Sequence, residues 1–290
     1  RDSKYMGTDI DAVSDIIEHM DRQLRALYLK HEDGFREKRL WNHTYVKHQI
    51  DRRRNHKDFK IQDHIRAMVY SMLSSGITWD DTKKAVSLNL GHVPEIDQIF
   101  CQYDPDLLQA KTPETLTDEI KRLNYAGQNT KRQMDGLIHT NLKKMVLLEQ
   151  RYGTIDSYYH LWIRQDPSMK LLIRALSHKD SPDKYIQMGE VLTAEYLRNI
   201  GYDLARPDQH IRQILGSYHL GCSEHFTAAI YETLDLIRNI AENMNKSAAE
   251  VHYILWSYCA KGYGEICTSK SPKCCMCATK KICKNKKYVS

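Results

Sequence analysis

Apolar residues along this chain recur three and four positions apart rather than in alternation. Following a helix start at Thr8 and Asp9, residues Ile10, Val13, Ile16, Ile17, Met20 and Leu24 mark one face of an amphipathic helix. Ile61, Ile65, Met68, Val69, Met72 and Leu73 trace a second apolar face that runs into Ser74, Ser75, Gly76 and Trp79. Between residues 80 and 150 the helical pattern is punctuated by Gly91, Pro94, Pro105, Pro113 and Gly127, and it closes with a stripe of Leu137, Ile138, Leu142, Met145 and Leu148. The pattern returns at Tyr231, Leu234, Ile237, Ile240 and Met244, and again from Ala248 through Cys259. The expected fold class is therefore all-α. From Lys30 to Lys60 charge displaces this pattern, with Arg52, Arg53 and Arg54 in succession and Trp41 and Tyr45 among them; this reads either as a DNA-facing arm or as a solvated helical extension.

A chain of 290 residues is long enough for two domains. Its net charge is +6, but residues 261–290 hold eight lysines against one glutamate, so that this segment is +7 and everything before it sums to −1. A positive field concentrated in one segment suits a polyanionic partner. No apolar run approaches the roughly 20 residues of a membrane span, and no hydrophobic segment follows the N-terminus as in a signal peptide. A soluble, intracellular protein of the cytoplasm or nucleoid is expected, with no membrane partner. The scattered Cys101, Cys222 and Cys259 fit buried thiols in a reducing compartment.

Five further cysteines crowd the same basic segment. Leaving Cys275 aside, Cys267, Cys274, Cys277 and Cys283 are separated by six, two and five residues. Four thiolates on one short loop invite an inorganic centre, and spacing alone leaves iron–sulfur and zinc both open, with a disulfide knot as a further alternative. The pattern resembles the [4Fe–4S] loop of the endonuclease III and MutY family of DNA glycosylases, part of the helix-hairpin-helix superfamily. The resemblance implies a [4Fe–4S] cofactor on those four cysteines, and a basic loop carrying Lys270 and Lys273 that meets DNA phosphates. It further implies a six-helix barrel domain over residues 62–203. A discontinuous helical domain, 1–61 with 204–290, would carry the cluster loop at 267–283.

A second anchor lies upstream. Tyr185, Ile186, Gln187, Met188 and Gly189, followed by Glu190 and Val191, resemble the family's L-P-G-x-G-x-K-T-A hairpin. Asp208, His210, Ile211, Arg212 and Leu215 resemble the V-D-x-H-V-x-R-x-L motif found about twenty residues after it. Only Gly189 of the two hairpin glycines is kept, with Gln187 at the other site. The hairpin works in the family because glycine lets backbone approach the strand while helix N-terminal N–H groups take a phosphate. Asp208 reads on its own as a helix N-cap, and by resemblance as the catalytic carboxylate; a cap would fix the carboxylate's direction, so the two roles are compatible. Val191 stands where bifunctional members keep a Schiff-base lysine, and neither Glu190 nor Leu192 beside it is an amine.

By alignment Tyr70 stands where MutY enzymes place a catalytic glutamate, and it reads equally as a core tyrosine with a satisfied hydroxyl. Tyr70, Ser74, Ser75 and Trp79 are expected to line or approach a base pocket. Tyr125 or Gln128, in the loop at 123–131, resembles the wedge that enters the DNA stack. The implied activity is hydrolysis of the N-glycosidic bond of a flipped-out damaged or mismatched base in duplex DNA. A monomeric, monofunctional glycosylase of base-excision repair is expected. The alternatives are a non-catalytic lesion-binding module on the same scaffold, and a glycosylase with AP lyase activity that uses a lysine from elsewhere.

Overall fold

The computed structural model describes residues 9–30, 36–75 and 82–284. Among these it holds no strand; its helices are α1 (Ile10–Leu29), α2 (Tyr45–Arg54), α3 (Ile61–Ser74), α4 (Thr82–Asn89), α5 (Pro94–Ile99), α6 (Pro105–Gln109), α7 (Pro113–Arg122), α8 (Thr130–Gly136), α9 (Leu142–Tyr152), α10 (Ile155–Gln165), α11 (Lys170–Ser177), α12 (Glu190–Asn199), α13 (Gln209–Ile214), α14 (Ile230–Met244) and α15 (Ala248–Cys259). The fold is all-α, and no helix among the described residues is long and apolar enough to cross a membrane. The chain divides into two compact units: a terminal unit of Arg1–Lys47 with Asp203–Ser290, and a central unit of His48–Tyr202.

The terminal unit is built on the packing of α1, α14 and α15 against one another. Asp9 starts α1 by accepting the Asp11 N–H at 3.0 Å, which satisfies a donor the helix itself leaves unpaired. Val13, Ile17, Met20 and Leu24 then line the buried face of α1, each contributing about 1.5–3 kcal/mol through burial. α15 is buried on nearly every side, which makes it the core of this unit.

The central unit is organised on α3, whose buried residues include Ile61, Ile65, Met68, Val69, Met72 and Leu73, and whose main partner is α12. Asn199 of α12 donates to the Ala67 carbonyl at 3.2 Å and in turn offers its own carbonyl to Gln49 at 3.2 Å. A buried polar network runs beside this core. The Tyr159 hydroxyl meets those of Tyr185 at 2.7 Å and Tyr196 at 2.9 Å, and Tyr196 meets His64 Nδ1 at 2.7 Å. His64 Nε2 faces Asp156 at 3.3 Å, and Asp156 also takes the Tyr202 hydroxyl at 2.8 Å and Arg53 at 3.2 Å.

This network relocates the charged segment. Residues 48–61, grouped with the termini on sequence, belong to the central unit. Arg53 donates to the Ile200 carbonyl at 2.7 Å and lies 3.8 Å from the centre of the Tyr202 ring, while Arg52 pairs with Asp63 at 3.2 Å. Both guanidinium groups flank Phe59, at 4.1 and 4.2 Å. Arg52 and Arg53 are thus neither a DNA-facing arm nor a solvated extension; they clamp the segment onto the unit.

Gly201 closes the same corner. Its φ is +82°, and a Cβ there would stand 2.3 Å from the Gln49 carbonyl oxygen. Gly201→Ala is therefore expected to lower stability by about 2–4 kcal/mol, because backbone must move to admit the methyl group; urea unfolding measures it, and a midpoint unchanged from wild type would contradict the close approach.

Cys101, Gln102 and Tyr103 form a left-handed turn, with φ of 52°, 52° and 62°. Such a run costs about 1–2 kcal/mol per residue. Phe100 stacked on Tyr103 at 5.9 Å and the Tyr103 hydroxyl on Asp97 at 2.6 Å hold it in place.

Candidate functional site

The thiol loop belongs to the terminal unit and is shaped by successive tight turns. Lys273 N–H reaches back to the Ile266 carbonyl at 2.8 Å, Cys277 N–H to Cys274 at 3.3 Å, and Lys280 N–H to Cys277 at 3.1 Å. Helix side chains hold this loop from beneath. Gln23 of α1 donates to the Met276 carbonyl at 2.9 Å; Tyr258 of α15 accepts the Ala278 N–H at 2.9 Å and donates to Gln23 at 2.7 Å. Cys267, Cys274, Cys277 and Cys283 are half-buried and not joined in disulfides, whereas Cys275 is exposed. Four soft donors of this kind suit a thiolate-bound cluster or metal. Among the described residues, however, no three histidine, cysteine, aspartate or glutamate side chains converge so as to hold a metal ion.

Cys259, not foreseen as part of this region, lies at the end of α15 in hydrogen-bond reach of Cys267. That contact lowers the Cys267 thiol against the opposing effect of its burial, and the same contact together with burial pushes Cys259 up. Sequence gave no sign of this pairing, because Cys259 sits outside the C-x6-C-x2-C-x5-C pattern.

Asp208 is the N-cap of α13. Its Oδ1 accepts the Ile211 N–H at 3.0 Å, its backbone carbonyl accepts the Arg212 N–H at 3.0 Å, and its Oδ2 stands 3.9 Å from Arg206 Nε. The carboxylate is therefore fixed in direction by one oxygen while the other faces the Arg206 guanidinium. Burial lowers the pKa of neighbouring His210, with the Asp208 charge opposing it. Arg212 is engaged elsewhere, donating to the Ala228 carbonyl at 2.6 Å.

The hairpin and the proposed pocket residues belong to the central unit. A turn of π-helix at Leu137–Asn141 carries Asn141; its amide accepts the Ile186 N–H at 2.7 Å and donates to the Ile186 carbonyl at 3.0 Å. One side chain thus supplies the pairing a neighbouring strand would give. Gln187 adopts φ +60°, a left-handed conformation that glycine takes without steric cost. Gln187→Gly is expected to stabilise the unit by up to about 1 kcal/mol, raising the melting temperature by a few degrees; a lower melting temperature would show that the Gln187 side chain is needed. Gly189 caps α12 in an extended conformation, and a Cβ there would meet nothing within 4 Å. Val191 is half-buried on the first turn of α12. The lysines that flank the hairpin are tied to carbonyls: Lys144 donates to Pro182 O at 3.2 Å and Lys184 to Ser177 O at 2.9 Å.

Tyr70 is buried, and its hydroxyl donates to Asp97 at 2.8 Å. Burial first, then the Asp97 charge, push that hydroxyl up to about 12 despite the opposing Arg66. Its hydroxyl is thus satisfied within the central unit. Ser74 donates to Glu195 at 2.9 Å, and exposed Ser75 donates to the Met72 carbonyl at 2.6 Å and accepts from Gln133 at 3.1 Å. Tyr125 is buried beneath Lys84, 4.9 Å from the ring centre, so it is not placed as a wedge, while Gln128 is exposed. Trp79 lies outside the described residues. Glu195, missed on sequence, is a buried acid 3.7 Å from Arg198; the signal was an acid between Ala194 and Tyr196 in a helix interior, with a basic residue three positions on. Compared with known proteins, the chain matches no family model, no curated protein and no solved structure.

Proposed function

We propose that this chain is a DNA base-excision glycosylase that hydrolyses the N-glycosidic bond of a damaged or mismatched base in duplex DNA, without lyase chemistry. The observation that carries the reading is the fixed carboxylate of Asp208, capped by the Ile211 N–H at 3.0 Å and set within a motif resembling the glycosylase catalytic segment. Cleavage passes through an oxocarbenium-like sugar, and an oriented anion lowers that barrier by sitting where positive charge develops; it can also take the proton of attacking water. The target base must leave the stack at a cost of a few kcal/mol, less for a damaged pair. The open space at Gly189 supports contact with backbone phosphate, since a Cβ there would meet nothing within 4 Å among the described residues. Lys270 and Lys273, both exposed, would add a salt-dependent grip.

Cys267, Cys274, Cys277 and Cys283 would hold a [4Fe–4S] cluster, which when bound braces the lysine-bearing loop. Absence of an amine at Val191, together with the carbonyl bonds of Lys144 and Lys184, supports hydrolysis over lyase action. The test is a panel of duplexes with different lesions, each incubated with protein and then treated with alkali. Strand breaks at one lesion support the reading. Their absence across the panel, with binding retained, would favour a lesion-binding module; a covalent adduct trapped by borohydride would assign the lyase alternative.

A further inference from the structure

Two segments of the terminal unit expose apolar side chains and are tied together by a backbone hydrogen bond. Tyr218 and Phe226, 48% and 46% exposed, lie in the loop after α13; Met276 and Ile282, 57% and 45% exposed, lie in the cysteine loop. Lys284 N–H donates to the Tyr218 carbonyl at 2.7 Å, which ties the end of the cysteine loop to the aromatic loop. The aromatic loop holds its own shape. Ser217 N–H closes it on the His225 carbonyl at 2.9 Å, and Gly216 brings the chain so near Phe226 that a Cβ would stand 1.9 Å from its carbonyl oxygen. The two rings meet edge to face, 5.2 Å apart at 88°, and each keeps nearly half its surface in solvent.

The cysteine loop tied to them is mainly basic. Lys270, Lys273, Lys280, Lys281 and Lys284 are exposed on the cysteine loop, against one exposed acid, Glu224, on the aromatic loop. Exposed aromatic rings inside a basic field fit a ligand that carries ring faces and regularly spaced anions together. A duplex keeps its base faces stacked, whereas an unpaired strand offers both. We propose that this surface binds single-stranded nucleic acid, Tyr218 and Phe226 stacking on unpaired bases while the lysines of the cysteine loop take the phosphates. The proposal goes beyond base release and does not depend on Asp208.

The test measures anisotropy of labelled oligo-dT of about twelve nucleotides, of a strand of equal length made of abasic tetrahydrofuran units, and of a duplex. The wild-type full chain is expected to bind oligo-dT about tenfold or more tighter than the baseless strand. The Tyr218→Ser, Phe226→Ser double variant should fall to the baseless level and hold duplex affinity within about threefold. Equal binding of oligo-dT and baseless strand by wild type would overturn the proposal, and this comparison needs no variant to fold. An equal loss on duplex and oligo-dT would also overturn it. So would a wild-type dimer that the double variant abolishes, since the rings would then be covered by a second copy. Failure of the excision reading shows separately, as absent alkali-labile breaks.

Discussion

Asp208→Asn is expected to reduce base release by about two to three orders of magnitude while leaving duplex affinity within about threefold. The contrast follows from how the residue is held. Asparagine caps a helix as well as aspartate, so its side-chain oxygen can still accept the Ile211 N–H and α13 should start where it does now. What disappears is the negative charge, which the proposed reaction needs to stabilise a cationic sugar and to accept a water proton. Single-turnover release from the lesion identified by the panel, alongside anisotropy on the same duplex, separates the two quantities. Turnover retained by the variant would remove Asp208 from the chemistry; loss of affinity and melting temperature together would reduce it to a cap.

The largest stability effect belongs to Asp156→Ala. That carboxylate is 11% exposed and faces Arg53, His64 and Tyr202 at once. Removing it takes the counter-charge from a half-buried guanidinium and a partner from two buried polar groups, which costs about 3–5 kcal/mol. The same residue sets an acid limit. Burial acts to raise the Asp156 carboxyl, yet the His64 contacts, Arg53 and Tyr202 outweigh burial and hold it at about 2. A depressed carboxyl contributes stability that is complete above the pKa of the unfolded chain, about 3.9, and is lost as pH falls towards 2. Urea midpoints should therefore drop between about pH 4 and pH 2 in wild type, and drop less steeply in Asp156→Ala. Parallel curves would show that other carboxylates govern the acid transition.

Where the chain's structure is local, it could be read from the sequence. The apolar stripe from Ile10 to Leu24 needs only a helical period, and α1 follows it. Asp208 as a cap was equally legible, because the cap bond spans three residues. Arg53 was not: its partners Asp156 and Ile200 lie 103 and 147 residues away, and a run of arginines looks the same whether its guanidinium groups meet water, DNA or a buried acid. Tyr125 shows the reverse limit, since a loop position suggests exposure and only packing under Lys84 reveals burial. The left-handed turn at Cys101, Gln102 and Tyr103 carries no glycine, so no local signal announces it. The cysteine spacing showed which thiols share a loop, but Cys259 joins them through the course of α15, which spacing does not encode.

The terminal unit is sewn from two distant stretches, with α1 packed on α14 and α15, whereas the central unit is one continuous stretch. On a ribosome this imposes a waiting time. Roughly 200 residues separate Leu29 from Ile230, and at about 5–20 residues per second their synthesis takes on the order of 10–40 s. Throughout that interval Ile17, Met20 and Leu24 have been made without the helices that cover them, so the apolar stripe of α1 stays uncovered on the nascent chain until α14 and α15 follow.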